Sequence, residues 1–202
     1  MIRSLILGLC LVALIAPAQG ANASDPTWPC VQRKVQSLSL GLMWPHPIDA
    51  EPLREEIAAD AVDLAAKLEL RRVDLDEART LITQFVEDHP DVTQADLGHL
   101  FGRIFDEINR DRRALIAGIE DYAEKQIALA NRIDEARSKI DSLAAAATPD
   151  QEAIASLQQQ IAWDERVFQD RSQSLTYVCE TPVLLEQRLY AIAQLLLDQT
   201  PE

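Results

Sequence analysis

Residues 96–143 read DLGHLFGRIFDEINRDRRALIAGIEDYAEKQIALANRIDEARSKIDSL, and apolar side chains recur through them every three or four positions. One line of heptad positions is Phe101, Ile108, Leu115, Tyr122, Leu129, Ala136 and Leu143, apolar throughout. Its companion line is Phe105, Arg112, Ile119, Gln126, Ile133 and Ile140, interrupted by a basic residue and an amide. A helix with this spacing buries the strip only against another helix. A pattern sustained this long therefore predicts a coiled coil rather than an ordinary surface helix.

A second run repeats the step at Ile154, Ile161, Phe168 and Leu175, with Leu157, Asp164, Arg171 and Val178 beside it. Between the runs lies AAAATPDQE, residues 144–152. Thr148 fits an N-cap and Pro149 a first helical turn, and the acids that follow suit the positive end of a helix dipole. A connection so short makes the two helices antiparallel neighbours. A turn near Thr148 sets Leu143 against Ile154, Leu129 against Phe168 and Tyr122 against Leu175. It also sets Gln126 against Arg171, a polar layer of the kind that fixes register. Asp164 falls opposite Ile133 and is expected to lean toward Arg132 or toward solvent. The same register brings Glu186 to Arg112, a buried ion pair that would satisfy the basic residue of the long seam.

Before the seam, Asp49 to Leu70 reads as a helix capped by Asp49, with Pro52 early and Ile57, Ala61, Leu64 and Leu68 as its apolar stripe. Asp74 to Asp88 reads as a second, with Leu75, Ala78, Leu81, Ile82 and Phe85 inward, ending at His89-Pro90. Thr93 then caps the long helix, with Asp96 in a capping-box position. After the seam, Cys179-Glu180-Thr181-Pro182 predicts a break and a last helix from Pro182, with Leu185, Leu189, Ile192 and Leu196 inward. Gly98 and Gly102 offer close helix approach, and Gly118 a bend. The predicted fold class is all-α: a helical bundle head, residues 49–118 and 179–200, with a projecting antiparallel coiled-coil hairpin, residues 119–178. A helix from Thr93 to Ala147 would be about 80 Å long and the hairpin about 45 Å.

The ends of the chain bear on compartment. Residues 1–23 read as a signal peptide: Arg3 supplies the positive charge, Leu5–Ala16 the apolar stretch, and Ala21-Asn22-Ala23 the small-residue cleavage pattern. The expected product is exported, periplasmic or secreted, with no later segment apolar enough to span a membrane. Cleavage removes Cys10 and leaves Cys30 and Cys179, which an exported protein joins as a disulfide. Residues 24–48 form an irregular arm, in which Pro26, Pro29, Pro45 and Pro47 forbid a long helix. The arm has two readings: a strap across the helices with Trp28 and Trp44 as anchors, or a partner surface made by Trp28, Trp44 and His46.

The chain has 202 residues, 33 acidic against 19 basic, and a formal net charge of −14. That balance disfavours nucleic acid, whose phosphates need a basic surface, and anionic lipid likewise. The Arg110–Arg113 cluster is the densest basic spot and reads as internal ion pairing or as a docking site for an acidic group. No two-histidine zinc pattern, phosphate loop, nucleophile elbow or Cys-x-x-Cys occurs. Asp96 and His99 have the spacing used by di-metal bundles, but those sites need a second such pair, and the sequence holds none. Catalytic, cofactor and metal residues are therefore assigned to no position. The expected function is that of a non-enzymatic interaction or adaptor module of the cell envelope, with a protein partner and room for homo-oligomers. The alternative is a periplasmic bundle that binds a small molecule or metal ion as accessory to an enzyme, with a pocket near His99, Tyr190 and Trp44.

Overall fold

The computed structural model describes residues 25–48 and 52–200. The expected signal peptide and the Asp49 cap lie outside the described residues. Within them the protein is all-α: α1 (Glu55–Leu68), α2 (Leu75–Asp88), α3 (Gln94–Ala144) and α4 (Gln151–Leu197), preceded by a short 3-10 turn at Leu40–Leu42. The long α3 and α4 pack against each other along their length as an antiparallel hairpin.

Caps set two of the starts. The Asp74 carboxylate accepts the Glu77 amide at 2.8 Å and opens α2. At α3 the capping box is complete: Thr93 Oγ1 accepts the Asp96 amide and the Asp96 carboxylate accepts the Thr93 amide. Three other boundaries differ from expectation. The first helix begins at Glu55, beyond Pro52, because Arg54 is extended and its side chain reaches across to Asp91 and Asp96. The second arm of the hairpin begins after Asp150, whose carboxylate accepts the Ala153 amide at 3.0 Å. Aspartate is a better N-cap than threonine.

The third difference is larger. No break occurs at Cys179–Pro182, and α4 runs through Pro182 as one helix of 47 residues. Proline removes one helical hydrogen bond, a local cost of about 3 kcal/mol. Here tertiary contacts offset it. Pro182 is buried, its carbonyl accepts from Arg112, and Cys179 one turn earlier is tied to the arm.

The head core joins the arm, α1, α2, the first half of α3 and the last turns of α4. Ile57, Ala61, Leu64 and Leu68 are buried as expected, as are Leu185, Leu189, Ile192 and Leu196. Leu75 is 45% exposed, since it opens α2 rather than facing inward. Beyond the head the hairpin forms a stalk with a narrow buried strip. That strip is not the uniform seam of the sequence. Between Arg112 and Gln126 the buried residues are Ile116, Ile119 and Ala123, while Leu115 and Tyr122 are only half-buried. The buried line steps over by one residue there and returns to Leu129 and Ala136 beyond Gln126.

Candidate functional site

The residues singled out in the sequence gather at two places, the arm and the stalk. At the arm, Cys30 and Cys179 form a disulfide with Cα atoms 5.5 Å apart. Asn109 accepts the Leu38 amide at 3.1 Å and donates to Ser37, and Lys34 pairs with Asp25 and Glu120. The hydrogen bond to Glu120 and then that to Asp25 raise the pKa of Lys34. These contacts strap the arm across α3 and α4.

Arg112 is the buried centre of that strap. Its Nη1 donates to the Val35 carbonyl at 2.6 Å and its Nε to the Pro182 carbonyl at 3.2 Å. The expected ion pair with Glu186 is present at 3.7 Å, with Arg112 buried and Glu186 45% exposed, while backbone oxygens of the arm and of α4 take the hydrogen bonds of the guanidinium. Burial lowers its pKa, partly countered by Glu186. In the same basic cluster Arg110 pairs with Glu107.

Trp44, expected in one reading at a partner surface, is only 1% exposed. It stacks on Phe101 with ring centroids 5.5 Å apart, and its indole lies over Gly98, whose missing side chain leaves the room. Gly98 thus admits the arm rather than another helix. His46 lies edge-on to Trp44 and is half-buried. Trp28 is half-buried and donates to the Gln32 carbonyl at 2.7 Å. The three residues therefore do not make one exposed aromatic face.

The region around His99 is equally constrained. Tyr190 points outward and Trp44 fills the core. The Asp96 carboxylate is occupied by Arg54 and Thr93. Burial works against its charge, but those hydrogen bonds outweigh it and hold the pKa below the usual value. Among the described residues, no group of three His, Cys, Asp or Glu side chains is placed to hold a metal ion. No described helix is long and apolar enough to cross a membrane.

The stalk presents the open surface. Antiparallel register is fixed by Gln126 donating to the Phe168 carbonyl and Ser172 Oγ, and by Tyr122 donating to the Arg171 carbonyl. Gln126 thus meets Ser172 instead of the Arg171 side chain, which is exposed. Asp164 leans to Arg132 in a two-bond ion pair at 2.6 and 2.9 Å. On either side of the seam runs a groove. One holds a hollow of about 270 Å³ with Asp134, Arg137, Glu165 and Gln169, where Arg137 pairs with both acids. The other holds a hollow of about 490 Å³ with Ala128, Leu129, Trp163 and Val167 below Lys125, Arg132 and Arg171. Trp163 is 67% exposed and was not singled out in the sequence. Its signal was there: it stands outside the Ile161–Asp164 seam pair, next to Arg166, on a helix with few other aromatics.

Comparison with protein-family models, with curated proteins and with solved structures finds no match for this chain.

Proposed function

We propose that this protein is an exported, non-enzymatic interaction or adaptor module of the cell envelope. Its head and strapped arm form a rigid base, and its stalk meets a protein partner. The observation that supports this reading is the stalk itself. The two longest helices run past the head core, bury only a narrow strip between them, and present Trp163 to solvent midway along. A hairpin kept only for stability would have no use for an exposed tryptophan, and tryptophan and arginine are enriched where proteins bind one another. The disulfide suits an oxidising compartment.

The test is crosslinking and pull-down of the exported protein, comparing the full chain with a variant in which a short loop replaces residues 120–176. Adducts that disappear with the stalk support the reading. Adducts that persist place the contact on the head or arm, and a signal sequence that directs no export removes the cell envelope from it.

A further inference from the structure

The two stalk grooves differ in sign. In the first, Arg137 neutralises Asp134 and Glu165. In the second, Arg132 pairs with Asp164 and Lys125 with Asp121, while Arg171 pairs with no carboxylate of the lining. Arg166 stands beside Trp163 in the adjoining hollow, and among the described residues neither Arg166 nor Arg171 has a carboxylate partner. A cationic stretch is unexpected in a chain of net charge −14. It coincides with the exposed face of Trp163 and an apolar floor of Leu129 and Val167.

From this juxtaposition we propose that the groove holds an acidic amphipathic helix of a protein partner, laid along α3 and α4 as a third helix, with its apolar side against Trp163 and its carboxylates against Arg166 and Arg171. The proposal rests on the adaptor reading and names where the partner sits. Length favours a helix. Lys125 to Arg132 spans about 10 Å, two helical turns, in an open trough that a small ligand would not fill. A two-helix seam flanked by charged positions is the surface on which a further amphipathic helix packs. The occupant is polypeptide rather than a long polyanion, because the acidic remainder of the chain repels an extended nucleic acid, whereas a short helix meets only charges within about 8 Å. The apolar floor of Leu129 and Val167 favours the apolar side of a helix over a sugar chain. The helices α1 and α2 of a second copy are not the occupant, since their apolar stripes are buried in the head.

The oxidised full-length protein is titrated with a fluorescent synthetic peptide of about three heptads, leucine at the seam positions and glutamate beside them. A peptide with lysine for glutamate is the control. The glutamate peptide is expected to bind at least about tenfold tighter, with affinity falling as salt rises. Trp163→Ala and Arg171→Glu, both at exposed positions, should each weaken it about tenfold while the circular dichroism spectrum stays helical. Equal binding of the two peptides overturns the proposal, as does wild-type affinity in both variants. Binding of polygalacturonate that depends on Trp163 and displaces the peptide assigns the groove to polysaccharide instead. A dimer in sedimentation that Trp163→Ala dissolves assigns it to a second copy. A photo-crosslinking residue at Ala128, which lines the same groove and leaves Trp163 in place, and another at Gln169 separate this claim from the adaptor reading. Protein adducts from 169 alone overturn the groove and keep the adaptor, and adducts from neither overturn both.

Discussion

Cys30 and Cys179 are linked by a disulfide across a sequence separation of 149 residues, and the link ties the arm to α4 one turn before Pro182. It acts where the helix is weakest, because Pro182 supplies no amide to the turn that contains Cys179. The prediction is that Cys30→Ser lowers stability by about 2–5 kcal/mol in urea unfolding. It should also open the arm to limited proteolysis before the helices are cut. Two alkylatable thiols in the folded wild-type protein would contradict the link.

Arg112 does with hydrogen bonds what the disulfide does covalently. Its guanidinium, 3% exposed, bridges the Val35 carbonyl on the arm and the Pro182 carbonyl on α4. Arg112→Ala leaves buried carbonyl oxygens without a donor, at about 1–3 kcal/mol for each. The expected loss is about 3 kcal/mol in total, and Arg112→Lys should recover only part, because one ammonium cannot match the fork of a guanidinium. Equilibrium unfolding of the two variants gives the comparison, and equal stability of Arg112→Ala and wild type would remove Arg112 from the strap.

These two residues also mark how far the sequence could be read. Cys30 and Cys179 pair by elimination once export is assumed, and the caps at Asp74 and Thr93 are local, so local pattern finds them. The hydrogen-bond partners of Arg112 are backbone carbonyls, which no side-chain pattern displays. Arg188, unremarked in the sequence, does the same at the end of α1, donating to the Leu68 and Val73 carbonyls. The step from Leu115 to Ile116 and from Tyr122 to Ala123 was illegible for another reason. A count of sevens does not tell which of two adjacent apolar residues is inward, because the packing against α4 decides it. Pro182 was misread because a local rule met tertiary contacts that outweigh it. Trp44 lies in a segment without periodicity, so nothing in its neighbours told burial from exposure.

Acid should weaken the corner where Arg54 meets Asp96. The folded-state pKa of Asp96 lies below its ordinary 3.8, since the Arg54 and Thr93 hydrogen bonds outweigh burial. An unfolded chain takes up the proton first as pH falls, so the stabilisation is present above about pH 4 and is lost below it. Asp91, lowered by the hydrogen bond from Arg54, acts in the same direction. Asp96→Asn keeps an acceptor for the cap but removes the charge. Its melting temperature should lie below wild type at pH 7, and the gap should close toward pH 3. A gap that is constant across this range would show that the carboxylate charge contributes nothing.

Two glycines of α3 should respond oppositely to the same enlargement. Gly118 is exposed, and a Cβ built there meets nothing within 4 Å. Its expected role as a bend between head and stalk finds no support in the course of α3, which is continuous there. Alanine is the better helix former by about 1 kcal/mol, so Gly118→Ala should raise the melting temperature by about 2–4 °C. At Gly98 a Cβ would stand 3.1 Å from Trp44 Nε1 and 3.3 Å from Ile48 Cγ1. The indole has little freedom to retreat, being stacked on Phe101 and nearly fully buried. Among the described residues its N–H finds no acceptor, and the stack on Phe101 holds it. Gly98→Val should therefore cost about 1–3 kcal/mol through overpacking and should alter the near-ultraviolet circular dichroism of Trp44. If Gly98 accepts valine without penalty, Trp44 is not seated on α3, and the arm is held there by Arg112, Asn109 and the Lys34–Glu120 pair alone.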